Sequence, residues 1–394
     1  MLRFKNDDGT NFPDWEEKSV GDITIELKEY EQLNSGYPLM TSSRIGLMMQ
    51  EDFRTKSSTE DDTAIFSVVP RGVATYRHMS DDNIFHFNIN NLIDKGLVSK
   101  EYPVFNTVNG NSLYLLVEYL NSSKKFLNFC KAQKKGGTRT RLYFKVLKEF
   151  KFNVPSLPEQ QKIADFLSTI DTVIEKQKET VSAWEERKKG VMQKLFNQEV
   201  RFKADDGNEF PEWEKKPFGD IVSEFKVKTK VENEDTLLSC AINGVFLNSE
   251  LFGHQRGQSN IGYLKIKKGT LILSAQNLHL GNANVNLRFE HGIISPAYKT
   301  YDIVGCSAEY MSQWVKWDMT KQFFYNATTV GASECRRNVD WNMLYSQLFA
   351  VPCLAEQQKI ADCLSSLDEA IEKQKATLAA WEELKKGLLQ QMFV

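Results

Sequence analysis

The residues best suited to chemistry lie in one basic loop, where two glycines stand among two lysines and two arginines. The tract runs KKGGTRTR over residues 134–141. Glycines let backbone amides and cations approach phosphates closely, and an arginine can also donate to guanine O6 and N7. A solvated surface loop is the alternative. The tract predicts DNA contacts from Lys134, Lys135, Gly136, Thr138, Arg139 and Arg141.

Further segments offer the polar and cationic side chains that read base edges in the major groove. They are TSSR (41–44) with its counterpart LSCA (238–241), YRH (76–78) with SAQN (274–277), and GASECRRN (331–338), the counterpart of the basic loop. Arginine pairs with guanine and Asn or Gln with adenine, although ordinary polarity at strand ends explains these residues equally well. The candidate DNA-binding residues here are Ser42, Ser43, Arg44, Tyr76, Arg77, His78, Ser239, Gln276, Asn277, Arg336 and Arg337.

The sequence contains no constellation that fits a catalytic or cofactor site. There is no G-x-x-x-x-G-K-[ST] phosphate loop, no G-x-G-x-x-G dinucleotide motif and no Asn/Asp-Pro-Pro-Tyr/Phe motif of amino-methyltransferases. G-x-S-x-G and H-E-x-x-H are absent as well. The six cysteines and five histidines lack metal-ligand spacing. We therefore expect no catalytic, cofactor-binding or metal-binding residue in this chain, and no enzymatic activity of its own.

Composition and charge distribution bound the class of protein. The 394 residues are 41% hydrophobic and 26% charged, which is typical of a soluble globular protein of two domains. The formal net charge is −2, yet residues 124–151 carry ten lysines and arginines against one acid, Glu149. Segregated charge of this kind can bind a polyanion. No signal peptide and no apolar run of about 18 residues is visible, so the expected location is cytoplasmic.

The elements that would position these residues occur twice along the chain. Residues 201–221 repeat residues 3–23, and residues 351–393 repeat residues 154–196 at 28 of 43 positions. A copied frame around divergent contents predicts two recognition domains at a fixed distance. The expected divisions are a first domain with its leading segment (1–153), a central repeated helix (154–200), a second domain with its leading segment (201–350) and a C-terminal repeated helix (351–394).

The repeated helices carry apolar residues at alternating steps of three and four, the pattern of a coiled-coil seam. Each helix would be about 55 Å long, so we expect the second to run back antiparallel along the first about a pseudo-twofold axis. That register would pair Gln177 with Gln374, Trp184 with Leu367 and Trp381 with Ile170. Two helices that pack separately on their own domains are the alternative. The predicted pairing residues are Ile163, Leu167, Ile170, Ile174, Gln177, Val181, Trp184, Ile360, Leu364, Leu367, Ile371, Gln374, Leu378 and Trp381.

Between the frames, short β-type runs separated by Gly, Asn, Asp and Ser predict mixed domains. Strands are predicted at 64–69, 72–76, 269–274 and 298–304, and amphipathic helices at 114–133 and 309–327. SLPE at 156–159 has the pattern of a capping box at the start of the first long helix. The expected fold class is α/β (mixed α+β), with two similar recognition domains separated by two long antiparallel coiled-coil helices in a pseudo-twofold circular arrangement.

These landmarks together resemble the specificity subunit of a type I restriction–modification system, over the whole chain. P-x-L-x-E-Q-Q-K-I-A-D-x-L opens each long helix, at 155–167 and 352–364, and R-F-K…F-P-x-W-E begins each half. TSSRIG, VVPRG, GLVSKEY and GGTRTR mark the first half. The second half departs from the pattern, with Ala241 at the place of Arg44 and no R-G dipeptide at Gly269.

The resemblance implies two target-recognition domains, each reading one half of a bipartite, asymmetric site in double-stranded DNA. It also implies that the helices bind two modification subunits, which carry S-adenosylmethionine and the adenine methyltransferase chemistry. Restriction subunits that use ATP and Mg for translocation and cleavage would join them. Two other hypotheses stay open: a non-DNA scaffold with two ligand- or peptide-binding domains spaced by a coiled coil, and a self-sufficient DNA methyltransferase.

Overall fold

A computed structural model describes residues 2–53, 64–134, 136, 138–252, 259–333 and 336–393. The chain divides into two compact units, a first unit of residues 1–178 and 376–394 and a second unit of residues 179–375. Each unit therefore contains part of both long helices. Among the helices in the described ranges, none is both long and apolar enough to span a membrane.

Short antiparallel strands form the sheets of the first unit. Its strands are β1 (Glu16–Ser19), β2 (Thr24–Glu26), β3 (Tyr30–Gln32), β4 (Met40–Ser43), β5 (Gly46–Met49), β6 (Ile65–Pro70), β7 (Ala74–Tyr76), β8 (Met79–Ser80), β9 (Phe87–Ile89), β10 (Lys95–Ser99), β11 (Val104–Thr107), β12 (Thr140–Arg141) and β13 (Lys151–Val154). The central sheet has the order β2-β11-β7-β9, and a second sheet has the order β10-β6-β3. Two-stranded ribbons join β1 to β13, β4 to β5 and β8 to β12.

Helices cover the central sheet and supply its core. The helices of this unit are α1 (Val20–Ile23), α2 (Gln50–Phe53), α3 (Leu113–Ser122), α4 (Lys124–Ala132), α5 (Phe144–Leu147) and the first part of α6 (Leu157–Phe196). The structure divides the helix predicted at 114–133 into α3 and α4. The division falls at Ser123, whose side chain accepts a hydrogen bond from the Phe126 backbone N–H and caps α4.

The second unit repeats the central sheet of the first. Its strands are β14 (Glu214–Pro217), β15 (Val222–Phe225), β16 (Leu238–Ala241), β17 (Gly244–Leu247), β18 (Leu264–Lys267), β19 (Leu271–Ser274), β20 (Ala283–Val285), β21 (His291–Ile294), β22 (Tyr298–Ile303), β23 (Thr328–Ser333), β24 (Arg336–Val339) and β25 (Leu348–Val351). The order β15-β22-β19-β20 matches β2-β11-β7-β9, and the hairpin β16-β17 matches β4-β5. This correspondence supports common descent of the two domains.

The helices of the second unit follow the same plan. They are α7 (Asn248–Leu251), α8 (Ala308–Trp314), α9 (Asp318–Asn326), α10 (Trp341–Ser346) and α11 (Leu354–Met392), of which the last part lies in the first unit. α8 and α9 replace the single helix predicted at 309–327. Thr320 Oγ1 donates to Trp314 O at 2.6 Å and satisfies a carbonyl at the end of α8.

The predicted strands are confirmed, with ends that differ by one or two residues. They correspond to β6, β7, β19 and β22. β7 and β19 are buried along their whole length. Buried apolar runs bounded by Gly are a local signal, which explains why the sequence alone located these strands.

The duplicated motif that opens each long helix holds a leading segment onto that helix. In the first unit the buried Glu159 carboxylate accepts hydrogen bonds from Arg3 Nη2 and Trp15 Nε1, both at 2.9 Å. In the second unit Glu356 accepts from Arg201 Nη2 at 2.8 Å and Trp213 Nε1 at 3.0 Å. We call each trio of Glu, Arg and Trp a helix clasp. A buried carboxylate is tolerated because both its partners donate to it.

The glutamine after each clasp carboxylate ties the recognition domain to the same place. Gln160 Oε1 accepts from the backbone N–H of Ser112, the residue that caps α3, at 2.9 Å. Gln357 Oε1 accepts from Ser307 N, the cap of α8, at 2.7 Å. The Glu-Gln pair in each motif thus has a structural role.

The capping box predicted at the start of α6 is wrong. Glu159 points to Arg3 and Trp15 instead of turning back to the helix start. The Ser156 hydroxyl is buried without a hydrogen-bond partner in the described part of the chain. The clasp therefore replaces the local cap, because it satisfies the carboxylate with donors that are distant in sequence.

Contacts within each unit show that the long helices run antiparallel there. In the first unit Ile163 and Leu167 of α6 cluster with Leu389 and Met392 of α11. In the second unit Met192 and Phe196 of α6 share a core with Ile360 and Leu364 of α11. The residues predicted for helix pairing are all buried or half-buried.

The register inside each unit differs from the predicted one. In the first unit Asp171 pairs with Lys385 at 2.7 Å, and in the second Lys188 pairs with Asp368 at 2.6 Å. These pairs shift the helices by about five residues, roughly 7.5 Å, from the register that sets Trp184 beside Leu367. The reason is that lysine–aspartate pairs occupy the polar positions of the seam. The pairing of Gln177 with Gln374 stays a prediction.

Candidate nucleic-acid interface

Three segments that are far apart in the sequence converge on one cleft of the first unit. The cleft has a volume of about 490 Å³, and Ser42, Ser43, Arg44, Arg77 and His78 line it. The basic loop reaches the same place because β12 pairs with β8, with Thr140 opposite Ser80. A hairpin turn, a strand end and a basic loop thus present hydrogen-bonding and cationic groups on one surface.

An asparagine that the sequence analysis missed anchors the hairpin. Asn88 Nδ2 donates to Ser42 Oγ at 2.8 Å and to Ser43 O at 3.0 Å. In the second unit Asn284 Nδ2 donates to Ala241 O at 2.8 Å. The signal was present, because Asn-x-Asn recurs at 88–90 and 284–286. Both hairpins are therefore fixed to the central sheet by the same side-chain type.

Arg44, at the tip of the hairpin, forms an ion pair with Asp82. The Asp82 carboxylate also accepts from Ser80 Oγ at 2.9 Å and from Ile84 N at 3.2 Å. The hydrogen bond from Arg44 and those from Ser80 and Ile84 lower the pKa of Asp82 to about 2. The carboxylate is therefore ionised throughout the physiological range and holds Arg44 in place.

Arg139 of the basic loop is held in the same way by the neighbouring carboxylate. Its Nε donates to Asp81 Oδ1 at 2.8 Å. By contrast, Arg77 and Arg141 are exposed, and neither has an ion-pair partner among the residues the structure describes. The surface therefore carries two arginines held by carboxylates and two that are not.

His78 lies at the back of the cleft and is only 2% exposed. Burial lowers the pKa of its imidazole, so the ring is neutral near pH 7. The ring stacks on Tyr143, with 5.5 Å between the centroids, and Nδ1 is buried without a hydrogen-bond partner in the described ranges. The imidazole thus contributes shape and an unused hydrogen-bonding atom to the wall of the cleft.

Tyr76 was predicted as a DNA contact, and the structure contradicts this. Its ring is fully buried in the core, and its hydroxyl donates to Leu142 O at 2.9 Å. Tyr76 is the last residue of β7, and its side chain points to the helix-covered face, whereas Arg77 points outward. Ser42 is also 4% exposed and serves the hairpin anchor through Asn88.

The remaining residues of the basic loop lie on the surface. Lys134, Gly136 and Thr138 are exposed. Gly136 has φ +70°, a backbone conformation that favours glycine. Lys135 lies outside the described residues.

In the second unit the corresponding positions are less cationic. The β16-β17 hairpin ends its pairing at Ala241 and Gly244, and the β4-β5 hairpin ends at Ser43 and Gly46. Arg44 therefore corresponds to Ile242 and not, as predicted, to Ala241. The turn residues shift by one because alignment by the average repeat offset misses a one-residue difference in the loop before the hairpin.

The other candidates of the second unit divide into exposed and engaged residues. Gln276 and Asn277 are exposed after β19. Ser239 Oγ donates to Asn248 Oδ1 at 2.9 Å. Arg337 Nε donates to Thr328 Oγ1 at 2.7 Å, and its guanidinium lies 4.1 Å from the Tyr325 ring centroid, so it is engaged within the fold. The side chain of Arg336 lies outside the described residues.

The thiols of the chain are not set up as nucleophiles. Burial raises the pKa of Cys130, Cys240 and Cys306 to about 12, so these thiols are protonated at neutral pH. In the part of the chain that the structure describes, no group of three or more His, Cys, Asp or Glu side chains could hold a metal ion.

Comparison with known proteins identifies the relationship. Residues 86–182, which include β9 to β13 of the first unit and the start of α6, match the family described as the type I restriction modification DNA specificity domain. The predicted relationship to type I specificity subunits is confirmed. The specificity subunit of the type I restriction enzyme MjaVIII from Methanocaldococcus jannaschii is 24% identical over 282 residues, and the match spans 66% of this chain and 65% of that protein.

Solved structures of specificity subunits share the fold. The S subunit of a type I restriction–modification system from M. genitalium is 14% identical, with a TM-score of 0.55, over 100% of this chain and 98% of that one. A structure from work on assembly and conformational transition of the type I system is 14% identical, with a TM-score of 0.51, over 97% and 98% of the two chains. The predicted fold class, with two similar domains and two long antiparallel helices, is confirmed.

Proposed function

We propose that this chain is the DNA sequence-recognition subunit of a type I restriction–modification complex and is not catalytic by itself. The observation that carries the proposal is the convergence of the β4-β5 hairpin, the end of β7 and the basic loop on one cleft. The match to a DNA specificity domain covers the central part of the same unit. A cleft with several arginines and short hydrogen-bonding side chains suits the edges and phosphates of double-stranded DNA.

In this proposal each domain reads half of a bipartite, asymmetric site. The domains keep the extents predicted from the sequence, 1–153 and 201–350, and the long helices at 154–200 and 351–394 separate them. The second domain reads a different half-site, because its hairpin presents Ile242 where the first presents Arg44. Gln276 and Asn277 are its exposed candidates for contact with adenine.

The chemistry of the complex belongs to partners. Two modification subunits bound along the helices would supply S-adenosylmethionine and methyl transfer, and restriction subunits would supply ATP-driven translocation and Mg-dependent cleavage. Such a complex acts on DNA in the cytoplasm.

Methylome sequencing of the source strain with and without this gene tests the role. We expect one interrupted, non-palindromic adenine-methylated motif to vanish on deletion and to return when the intact gene is restored. An unchanged methylome in a strain with intact modification subunits would contradict the proposal, and would favour a scaffold without a role on DNA.

Binding by the assembled complex tests the surface itself. Changing Lys134, Lys135, Arg139 and Arg141 to alanine should weaken DNA binding and make the slope of log K against log[salt] shallower by about 0.9 for each lost phosphate contact. The matched control changes four exposed cations of the long helices, Lys176, Lys178, Lys189 and Lys194, which lie outside the cleft. Equal affinity and slope in the wild-type and loop variants would exclude the loop from the interface.

A further inference from the structure

The arginines of the cleft fall into two classes by their contacts. Arg44 and Arg139 are each bonded to an aspartate of the 80–84 turn, whereas Arg77 and Arg141 have no ion-pair partner in the described chain. All four are at least about half exposed on the face that the proposed function gives to DNA. The difference lies in the carboxylates and not in access.

A carboxylate changes what an exposed arginine can do for a polyanion. The Arg–Asp pair has no net charge, so it attracts phosphates weakly, and a phosphate close to the arginine also meets the carboxylate. An unpaired arginine keeps its full charge and gains from counterion release. The pairs are therefore poor phosphate contacts, whereas Arg77 and Arg141 are good ones.

The same carboxylates leave the arginines able to read a base. Asp81 accepts from Nε of Arg139, so both terminal nitrogens of that guanidinium remain to donate to O6 and N7 of a guanine. Asp82 accepts from Nη2 of Arg44 and leaves Nε and Nη1. A guanidinium fixed in one orientation loses less conformational freedom when it binds a base edge.

The turn itself is built to hold these carboxylates still. Asp82 is bonded to Ser80 and Ile84, and Asn83 adopts φ 69° and bonds Thr140 through its side chain at 2.5 Å. Ser80 and Thr140 are paired in the β8-β12 ribbon that carries Arg139. One turn therefore fixes an arginine of the hairpin and an arginine of the basic loop.

We propose that Asp81 and Asp82 are positioning residues for sequence specificity, which assign Arg139 and Arg44 to base recognition and leave Arg77 and Arg141 to contact phosphates. This proposal rests on the proposed function. It deepens it by naming which cations carry sequence information and which side chains give them that role.

Asp81→Asn in the assembled complex is the decisive variant, because among the described residues Asp81 bonds only Arg139, so the change should not disturb the turn. With the target motif known from the methylome, affinities for target and scrambled duplexes are measured over a salt series. We expect the ratio of target to scrambled affinity to fall by about tenfold, with tighter binding to scrambled DNA and a steeper salt slope. Asp82→Asn should act in the same direction.

Controls separate positioning from folding and from general charge effects. Asp94→Asn removes the carboxylate from the exposed Arg71 Nε–Asp94 pair (3.0 Å), which has the same chemistry and lies outside the cleft, and should leave the ratio unchanged. Arg77→Ala should weaken binding to both duplexes equally. In an Arg139→Ala background Asp81→Asn should have no further effect on the ratio.

Two results would overturn the inference: Asp81→Asn and Asp82→Asn changing both affinities by the same factor, or Asp81→Asn keeping its full effect without Arg139. Failure of the proposed function looks different, because the wild-type complex would then show no preference for any target duplex.

Discussion

Single polar side chains fix the recognition hairpins, and one of them is a buried lysine. In the second unit Lys316 Nζ donates to Ile242 O at 2.7 Å, to Asn284 Oδ1 at 2.5 Å and to Ala283 O at 3.2 Å. The first of these carbonyls belongs to the hairpin turn, so the ammonium group joins the turn to the central sheet. Burial lowers the pKa of Lys316 to about 8.

The lowered pKa makes the stability of the second unit depend on pH in a defined direction. The unfolded chain holds this proton up to about pH 10.5 and the folded chain only to about pH 8, so unfolding is favoured while both are protonated. The contribution of Lys316 to stability therefore rises with pH between about 8 and 10.5. Lys316→Met should flatten this rise in urea unfolding curves measured across that window.

Buried thiols work against this rise, so the comparison must be between variants. Because burial raises the pKa of Cys240 and Cys306, their contribution to stability falls as pH increases above about 9. The difference between the wild-type and Lys316→Met proteins isolates the lysine. Lys321→Met removes an exposed lysine of α9 and controls for the loss of one charge. Parallel pH profiles for wild type and Lys316→Met would contradict the assignment.

The long helices are held to the domains by the helix clasps, which are contacts between elements distant in sequence. Glu159 has a fully buried side chain, while Arg3 is about a quarter exposed. Glu159→Gln keeps the shape and removes the charge that Arg3 and Trp15 donate to. We expect a loss of about 2–3 kcal/mol in unfolding free energy, measured by chemical denaturation of the full chain.

The chain supplies a matched pair of controls for the clasp. Glu356→Gln should have a similar effect in the second unit, because its distances to Arg201 and Trp213 are nearly the same. Gln161→Ala changes an exposed residue of the same motif and should alter stability by less than about 0.5 kcal/mol. A Glu159→Gln protein as stable as the Gln161→Ala protein would show that the clasp contributes nothing.

The hairpins also depend on two glycines at equivalent places in the sheets. A Cβ at Gly292 would collide with Leu238 and lie 3.0 Å from the Thr236 carbonyl oxygen, whereas at Gly96 it would meet mainly the flexible end of Met40. Leu238 and Met40 begin the hairpin strands β16 and β4. We expect Gly292→Ala to cost about 2 kcal/mol and Gly96→Ala about 1 kcal/mol.

Thermal unfolding of the two glycine variants checks this order. The physical reason is that methionine can adopt another rotamer, whereas a branched leucine and a backbone carbonyl cannot both move away. Equal midpoints, or a lower midpoint for Gly96→Ala, would be inconsistent with the packing described.

At the scale of the whole molecule, each unit is completed by a helix segment from the other repeat. In the first unit, Lys385, Leu389 and Met392 contact Asp171, Ile163 and Leu167. The corresponding residues of the first repeat are Lys188, Met192 and Leu195, which have the same chemical character. A fragment of residues 1–200 therefore carries both a first unit that lacks its completing segment and a segment that fits it.

We expect the 1–200 fragment to form a closed dimer in which each copy completes the other. Twofold protein symmetry requires twofold symmetry in the DNA, so with modification subunits it should methylate an interrupted palindrome built from the first half-site. Light scattering gives the mass, and methylome sequencing gives the motif. A fragment of residues 1–178 lacks the completing segment and should stay monomeric. A monomeric 1–200 fragment in the presence of the modification subunits, or a non-palindromic motif, would contradict this prediction.

The sequence by itself determined the duplicated frame, the long helices and the buried strands, because these signals are local or repeat along the chain. Heptad spacing marked residues 163–195 as a helix with one apolar face, and Gly-bounded apolar runs marked β7 and β19. The tertiary structure decided what a polar residue does. Tyr76 and Arg77 are adjacent in sequence, yet one is in the core and the other lines the cleft.

The partners of the cleft arginines also depended on the fold. Asp82 lies 38 residues from Arg44, and Asp81 lies 58 residues from Arg139. No periodicity or motif spacing links such residues, because the pairing of β8 with β12 and the two-residue hairpin turn bring them together. Asn88 and Asn284 were within reach of the sequence, since a polar Asn-x-Asn repeated inside buried strands requires hydrogen-bond partners.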